Sequence, residues 1–334
     1  MPSRVTIYDV AAEAGVSIST VSLALNTPAR VSTRTRQRVL AAADALGYTP
    51  KTEAVAKARR GVGRIGVLAP FTSYPSVARR LNGVLREAAG LPLEVVLFDE
   101  ESAVRSASPL LESLPLTGQL DGILVVSLPL EESVAGRLRA LGLPAVLVDV
   151  RHPDFDSVHT DDATGGRLVA GHLVGRGHRR LGFVGETQQS EDYLSPARRR
   201  LSGYRAALAE AGCGLADTHV RFVEPSVGAS AAAAGALLSG EQRPTAVFAA
   251  DDTLAAGVVR AAHELGLAVP GDVAVAGFDD SDLAEALDLT TVRQPLEESG
   301  RAAMELLHKR MTGKDGAAVR EVTLRLELIE RGSS

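Results

Sequence analysis

The chain has 334 residues, 45% of them hydrophobic, more than one small core needs and suited to two or three domains. Its one cysteine, Cys213, excludes an intrachain disulfide and reads as a buried small hydrophobe in a reducing compartment, and no apolar run is long enough to span a bilayer. The net charge of −5 argues weakly against nucleic acid, but it is uneven: residues 1–60 hold nine Lys/Arg against four Asp/Glu, so that this segment is +5 and the remainder −10.

Residues 6–26, TIYDVAAEAGVSISTVSLALN, read as two short helices and a tight turn. Thr6 can cap the first with Asp9 three residues on, and Ile7, Val10 and Ala11 share one apolar face. Gly15 stops that helix; Ser17 caps the second, whose buried side is Val21 and Leu25. Residues 31–49 give a third helix, capped by Ser32, apolar along Val39, Leu40, Ala43 and Leu46, and stopped by Gly47. A helix, a glycine turn and a short second helix make a helix-turn-helix, whose second helix enters the DNA major groove, or else an ordinary helical hairpin.

The pattern T-I-Y-D-V-A-x-x-A-G-V-S-x-x-T-V-S, followed by V-S-x-x-T-R and L-G-Y-x-P, resembles the headpiece of the lactose-repressor (LacI/GalR) family almost position by position. The likeness continues in FAADDTLAAG, VAGFDDSDLA and LTTVRQP and is thin from Leu91 to Thr117. It implies a homodimer on double-stranded operator DNA, with two headpieces reading an inverted repeat. By family position Ile18, Ser19 and Leu23 read bases. Ile18 and Leu23 cannot hydrogen-bond a base edge but can pack on thymine methyl groups; Leu23 could instead pack inward. Thr6, Ser17, Thr20, Ser22, Arg34 and the Arg36/Arg38 pair are candidates for phosphate.

Residues 51–61 form a linker after Pro50, which ends the third helix. In the resembling family this segment becomes a hinge helix whose leucine wedges into the minor groove; the matching position here is Lys57. Lysine is a poor apolar wedge, so Lys57, Arg59 and Arg60 read either as backbone contacts or as a solvated basic linker.

From Arg64 on, apolar runs at 65–69, 95–98, 122–126, 145–148, 181–184, 220–223, 246–249 and 273–276 alternate with amphipathic stretches such as 76–89, 130–141, 164–175, 197–211 and 253–265. That alternation means α/β architecture with doubly wound parallel sheets. The resemblance implies two periplasmic-binding-protein-like lobes, 62–161 with 292–320 and 162–291 with 321–334, the chain crossing near Asp161, Thr291 and Arg320. The last strand-like run is 322–329, and no heptad tail follows it.

Open parallel sheets bind ligands at the carboxyl ends of their strands. Phe71 and Tyr74 follow the first strand there, Asp149 the fourth, Asp251 and Asp252 the seventh, Asp279 and Asp280 the eighth. By resemblance Asp149, Asp161, Val227, Asp251, Asp279 and Leu296 line an effector cleft between the lobes. Alignment on Gly203 makes Arg200 the cleft arginine, with Arg198 as the alternative. Carboxylates accept from ligand hydroxyls and an arginine donates, which suits a neutral polyol such as a sugar. Each aspartate could instead cap the next helix; that reading is taken for Asp252 and Asp280, and the ligand reading for Asp149, Asp251 and Asp279. Phe71, Tyr74, Tyr193 and Phe278 are the aromatics a sugar ring could stack on.

Gly61, Gly63 and Gly66 spell G-x-G-x-x-G but precede and enter a strand, so they are not a dinucleotide loop. The seven histidines show no paired metal spacing, and no nucleophile–base pair stands out; no metal and no cofactor is expected. The reading is a cytoplasmic, ligand-responsive repressor, not an enzyme and with no membrane partner. Its rivals are a transport-linked solute-binding protein, an enzyme on a doubly wound fold, and an activator or corepressor-dependent regulator.

Overall fold

The computed structural model describes residues 5–49, 62–100, 109–188, 193–313 and 318–334. Three helices come first. α1 (Ile7–Ala14) ends at Gly15, whose φ of 60° is left-handed and costs glycine nothing. α2 (Ile18–Asn26) starts at Ser17, whose Oγ accepts the Thr20 N–H. α3 (Thr33–Leu46) runs from Ser32, which accepts the Thr35 N–H, to Gly47. Val10, Ala11, Val21, Leu25, Val39 and Leu40 meet in one core, the apolar faces that the periodicity marks.

Among the described residues twelve strands and nine further helices follow. The strands are β1 (Gly63–Ala69), β2 (Leu93–Asp99), β3 (Gly122–Val126), β4 (Ala145–Val148), β5 (Asp156–Thr160), β6 (Leu181–Glu186), β7 (Val220–Val223), β8 (Ala246–Ala249), β9 (Ala274–Asp279), β10 (Thr290–Arg293), β11 (Glu321–Leu324) and β12 (Glu327–Ile329). The helices are α4 (Pro75–Ala88), α5 (Pro109–Ser113), α6 (Glu132–Leu141), α7 (Asp162–Gly175), α8 (Pro196–Glu210), α9 (Val227–Leu238), α10 (Asp252–Glu264), α11 (Asp282–Ala286) and α12 (Leu296–Met311).

The first sheet has the order β2-β1-β3-β4-β5-β11 and the second β7-β6-β8-β9-β10-β12. Both begin with the same doubly wound pattern, and the pairs from β1 to β5 and from β6 to β10 are parallel. Central strands β3, β4, β6 and β8 are buried along their whole length, which is why they read as unbroken apolar runs.

The chain forms two compact units, Met1–His159 with Glu297–Val322 and Thr160–Leu296 with Thr323–Ser334. The three helices of the headpiece group with the first. The second passage differs from the one expected near Thr291. Thr291 lies inside β10, a buried strand in register with β9, and the chain leaves the second unit only after Leu296. The run 322–329 is two strands, not one: β11 joins the first sheet and β12 pairs antiparallel with β10 in the second.

Candidate nucleic-acid interface and ligand site

In the headpiece, the Asp9 carboxylate accepts both the backbone N–H and the hydroxyl of Thr6 at 2.7 Å, and these bonds hold its carboxyl below the usual range. The Ser17 and Thr20 hydroxyls are 2.8 Å apart at the start of α2. Ile18 and Leu23 are 42% and 37% exposed, and Ser19 is exposed beside them. Leu23 therefore faces outward with Ile18 and does not pack into the core. Ser22 is half-buried, its carbonyl accepting the Asn26 side-chain amide. This is a helix-turn-helix whose second helix keeps an outward face of two apolar side chains and a serine.

Arg34 is exposed and free to meet phosphate, but the Arg36/Arg38 pair is not. Arg36 is buried with its Nε 3.2 Å from Glu112 Oε2. Arg38 donates to the carbonyls of Ala14 and Gly15 and so clamps the turn between α1 and α2. Crowded arginines looked cationic and solvent-facing in sequence; a helix period puts these two against partners the local sequence cannot show. Lys57, Arg59 and Arg60 lie outside the described residues.

In the first unit Asp149 sits after β4 with φ of 64°, uncommon for a non-glycine residue. Buried Arg80 reaches both its oxygens, at 2.9 and 2.8 Å, and the Ser127 hydroxyl donates to Oδ2 at 2.8 Å. Neither partner stood out in sequence, although Arg80 interrupts the apolar face of α4 between Val77 and Val84, and a charge at a core position is a signal. Phe71 and Tyr74 are half-buried just beyond β1.

In the second unit Asp251, Asp279 and Arg200 gather at the ends of β8 and β9. Arg200 is buried; its Nε donates to Asp162 Oδ1 at 2.9 Å, its Nη1 to the Ala250 carbonyl at 2.5 Å, and its guanidinium lies 3.7 Å above the Phe278 ring centre. Its Nη2 is 3.9 Å from Asp279 Oδ1, an ion-pair distance but too long for a hydrogen bond. Gln294 Nε2 donates to that same oxygen at 2.5 Å. Arg198 is elsewhere, exposed and 4.1 Å over Phe222, so the geometry groups Arg200 and not Arg198 with the aspartates. Phe278 is fully buried with Arg200 on its face, which removes it as a sugar platform, and Tyr193 is buried too. Val227 opens α9, and buried Leu296 opens α12.

The capping roles fall differently from expectation. Asp251 caps α10, accepting the Leu254 N–H at 2.7 Å, and exposed Asp161 caps α7. Asp252 is not a cap: buried, it accepts from Ser281 N and Oγ at 2.8 Å and from Thr291 Oγ1 at 2.7 Å, tying the end of β9 to β10. Asp280 is not one either; it pairs with Arg293 and Arg331, and Ser281 caps α11. A sequence shows that a carboxylate precedes a helix but not which of two adjacent ones turns back to it.

Burial, with the Asp279 charge nearby, pushes Asp251 up to about 6 and Asp252 up to about 7. These folded groups hold protons to higher pH than the unfolded chain does, so stability drains away as pH rises from about 4 toward 7, at up to about 1.4 kcal/mol per pH unit for each group. Melting curves between pH 5 and 8 should therefore fall for the native chain and fall less for Asp252→Asn. Half-buried His172 and His178, lowered by desolvation, bias the other way and are unchanged in that comparison.

Among the described residues one histidine–acid group, Glu132, His152 and Asp154, has ligand atoms within 4.8 Å of one another. Arg139 bonds both of its carboxylates, so a cation already occupies the place a metal would take. Gly63 and Gly66 lie within β1, away from any phosphate-binding turn. Among the described residues no helix is long and apolar enough to cross a membrane.

A headpiece of three helices followed by two doubly wound sheets matches known proteins along its whole length. Residues 6–51 match the model of bacterial regulatory proteins of the lacI family, and 170–334 that of the periplasmic binding protein-like domain. The ribose operon repressor of Escherichia coli K12 is 32% identical, covering 98% of this chain and 99% of its own length. The chain belongs to the LacI family. Solved structures of this family are similar over nearly the whole chain. The transcriptional regulator CelR in complex with cellobiose is 31% identical with a TM-score of 0.72, covering 99% of this chain and 100% of its own. The lac repressor dimer bound to operator and an anti-inducer is 27% identical with a TM-score of 0.70, covering 99% of each. LacI-family members are transcriptional regulators, not enzymes, which sets aside the enzyme and transport readings.

Proposed function

We propose that the chain is a homodimeric repressor that binds an inverted-repeat operator and releases it when a sugar or similar small polyol binds. The observation that carries the DNA half is the outward face of α2, where Ile18, Ser19 and Leu23 remain exposed while every apolar partner of that helix is buried. A face of Ile and Leu favours thymine-rich half-sites at those positions. The ligand half is supported by carboxylates and a buried arginine at the carboxyl ends of strands in each unit, Asp149 with Arg80 in one and Asp251, Asp279 and Arg200 in the other. Such a set accepts and donates to hydroxyls and offers little to an extra phosphate. Relatives whose names refer to ribose and cellobiose favour the same class.

Gel shifts with the DNA flanking the chain's own gene test the reading. The full chain is expected to bind with an affinity that falls steeply with salt, and deletion of residues 1–60 to abolish binding. A thermal-shift panel including ribose and cellobiose then names the sugar, which should weaken the shift. Arg200→Ala should leave DNA binding intact and remove that response. Failure to bind DNA at low salt under every condition overturns the proposal.

A further inference from the structure

The headpiece shares more than a chain connection with the first unit. Arg36 of α3 pairs with Glu112 of α5 at 3.2 Å, and Arg137 of α6 grips Asp44 of α3 through Nε and Nη2, each at 2.8 Å. The same Arg137 donates through Nη1 to the Glu112 carbonyl at 3.1 Å, so the two ion pairs are joined. The charges alternate: a headpiece cation meets a lobe anion, and a lobe cation meets a headpiece anion. Both arginine side chains are about nine-tenths buried. Beside them Leu116, on a tight turn after α5, is buried in the headpiece's own core with Leu141 packed against it. At the end of α2 the Gln119 amide donates to Asn26 Oδ1 at 3.0 Å.

We infer that this is a docking surface: the headpiece seats on the lobe of its own chain, held by Leu116 and the joined ion pairs, with its DNA-reading face left free. Ile18, Ser19 and Leu23 stay exposed while Arg36 is buried at the seat. Its consequence rests on the repressor reading: a shift of the first lobe reaches the reading helix through direct contact as well as through the linker. Its existence does not rest on that reading, and the test needs neither operator nor ligand.

Asn26→Cys and Gln119→Cys, introduced with Cys213→Ser, are joined by a short bismaleimide in the free protein. The expected product is an intrachain crosslink. Arg137→Ala on the lobe or Asp44→Lys on the headpiece should each slow it at least about tenfold, because the first removes every bond Arg137 makes to Asp44 and to the Glu112 carbonyl and the second sets a like charge against buried Arg137. Arg34→Ala, exposed and off the seat, should leave the rate unchanged, and circular dichroism should find the helices intact in all three. A crosslink formed mainly between chains, or a rate indifferent to both Arg137→Ala and Asp44→Lys, overturns the inference.

Discussion

Gly203→Ala is expected to cost the second unit about 3 kcal/mol or more, although it adds a single methyl group on a helix. A Cβ at Gly203 would stand 1.9 Å from the Ala163 carbonyl oxygen, and one at Gly166 would stand 2.0 Å from the Arg200 carbonyl oxygen. Helices α7 and α8 thus cross backbone to backbone at two reciprocal glycines. No rotamer can relieve a clash with main chain, so the helices must separate. Separation pulls Arg200, on α8, away from Asp162, on α7, and breaks the 2.9 Å bond that aims the guanidinium past Asp279. The variant should therefore lose its response to sugar along with its stability, and its melting temperature should drop by roughly 5–12 °C. Calorimetry checks the first effect and a ligand thermal shift the second. A variant that melts within a degree of the native chain would mean the helices have slack that the close contact denies.

The first unit repeats the device. A Cβ at Gly83 would stand 1.8 Å from the Glu297 carbonyl oxygen, and one at Gly300 would stand 1.9 Å from that of Arg80, where α4 crosses α12. In both units a helix crossing without side chains carries an arginine, Arg80 or Arg200, that is fixed by an aspartate. Glycine at these four positions is read from the structure alone, since in sequence each looks like a weak point in a helix.

What the sequence made legible is what short-range chemistry decides. The headpiece boundaries follow from Ser17, Ser32, Gly15 and Gly47, residues that act on their own backbone within a few positions. The central strands follow from unbroken apolar runs. The misses are strands whose burial depends on distant partners. β5 reads Asp-Ser-Val-His-Thr and β10 Thr-Thr-Val-Arg, too polar to look like core, yet Asp156, Ser157, His159, Thr290 and Thr291 are all buried. Three of those side chains are satisfied by residues far along the chain: Arg310 for Asp156, Asp252 for Thr291, Arg331 for Thr290. The candidate site divides in the same way. Asp149, Asp251, Asp279 and Arg200 were visible from motif position, whereas Arg80, Ser127, Asp162 and Gln294 were not, because each earns its place only through a contact made in three dimensions.

Arg310→Met should be the most damaging single change in the first unit, at about 3–5 kcal/mol. Asp156 lies on β5 with its side chain fully out of water, and burial alone would push its carboxyl up. Arg310 overrides that, donating from Nε and Nη2 at 2.7 Å to the two oxygens, and the Arg320 N–H adds a third bond at 2.8 Å. The net effect holds the carboxyl below its usual value. Its contribution to stability is therefore present above the unfolded value near 4 and is lost as pH falls through the lower folded one. Methionine keeps much of the arginine's length and removes the charge, which strands a carboxylate in the core. The group can escape only by taking up a proton, so the sign of the pH dependence should invert: the variant should be least stable near neutrality and recover part of its loss toward pH 5. Asp156→Asn in the same background keeps an acceptor without the charge and should restore about half the deficit. Urea titrations at pH 5 and pH 7.5 on the three proteins separate a stranded charge from a simple loss of packing, which would cost the same at both.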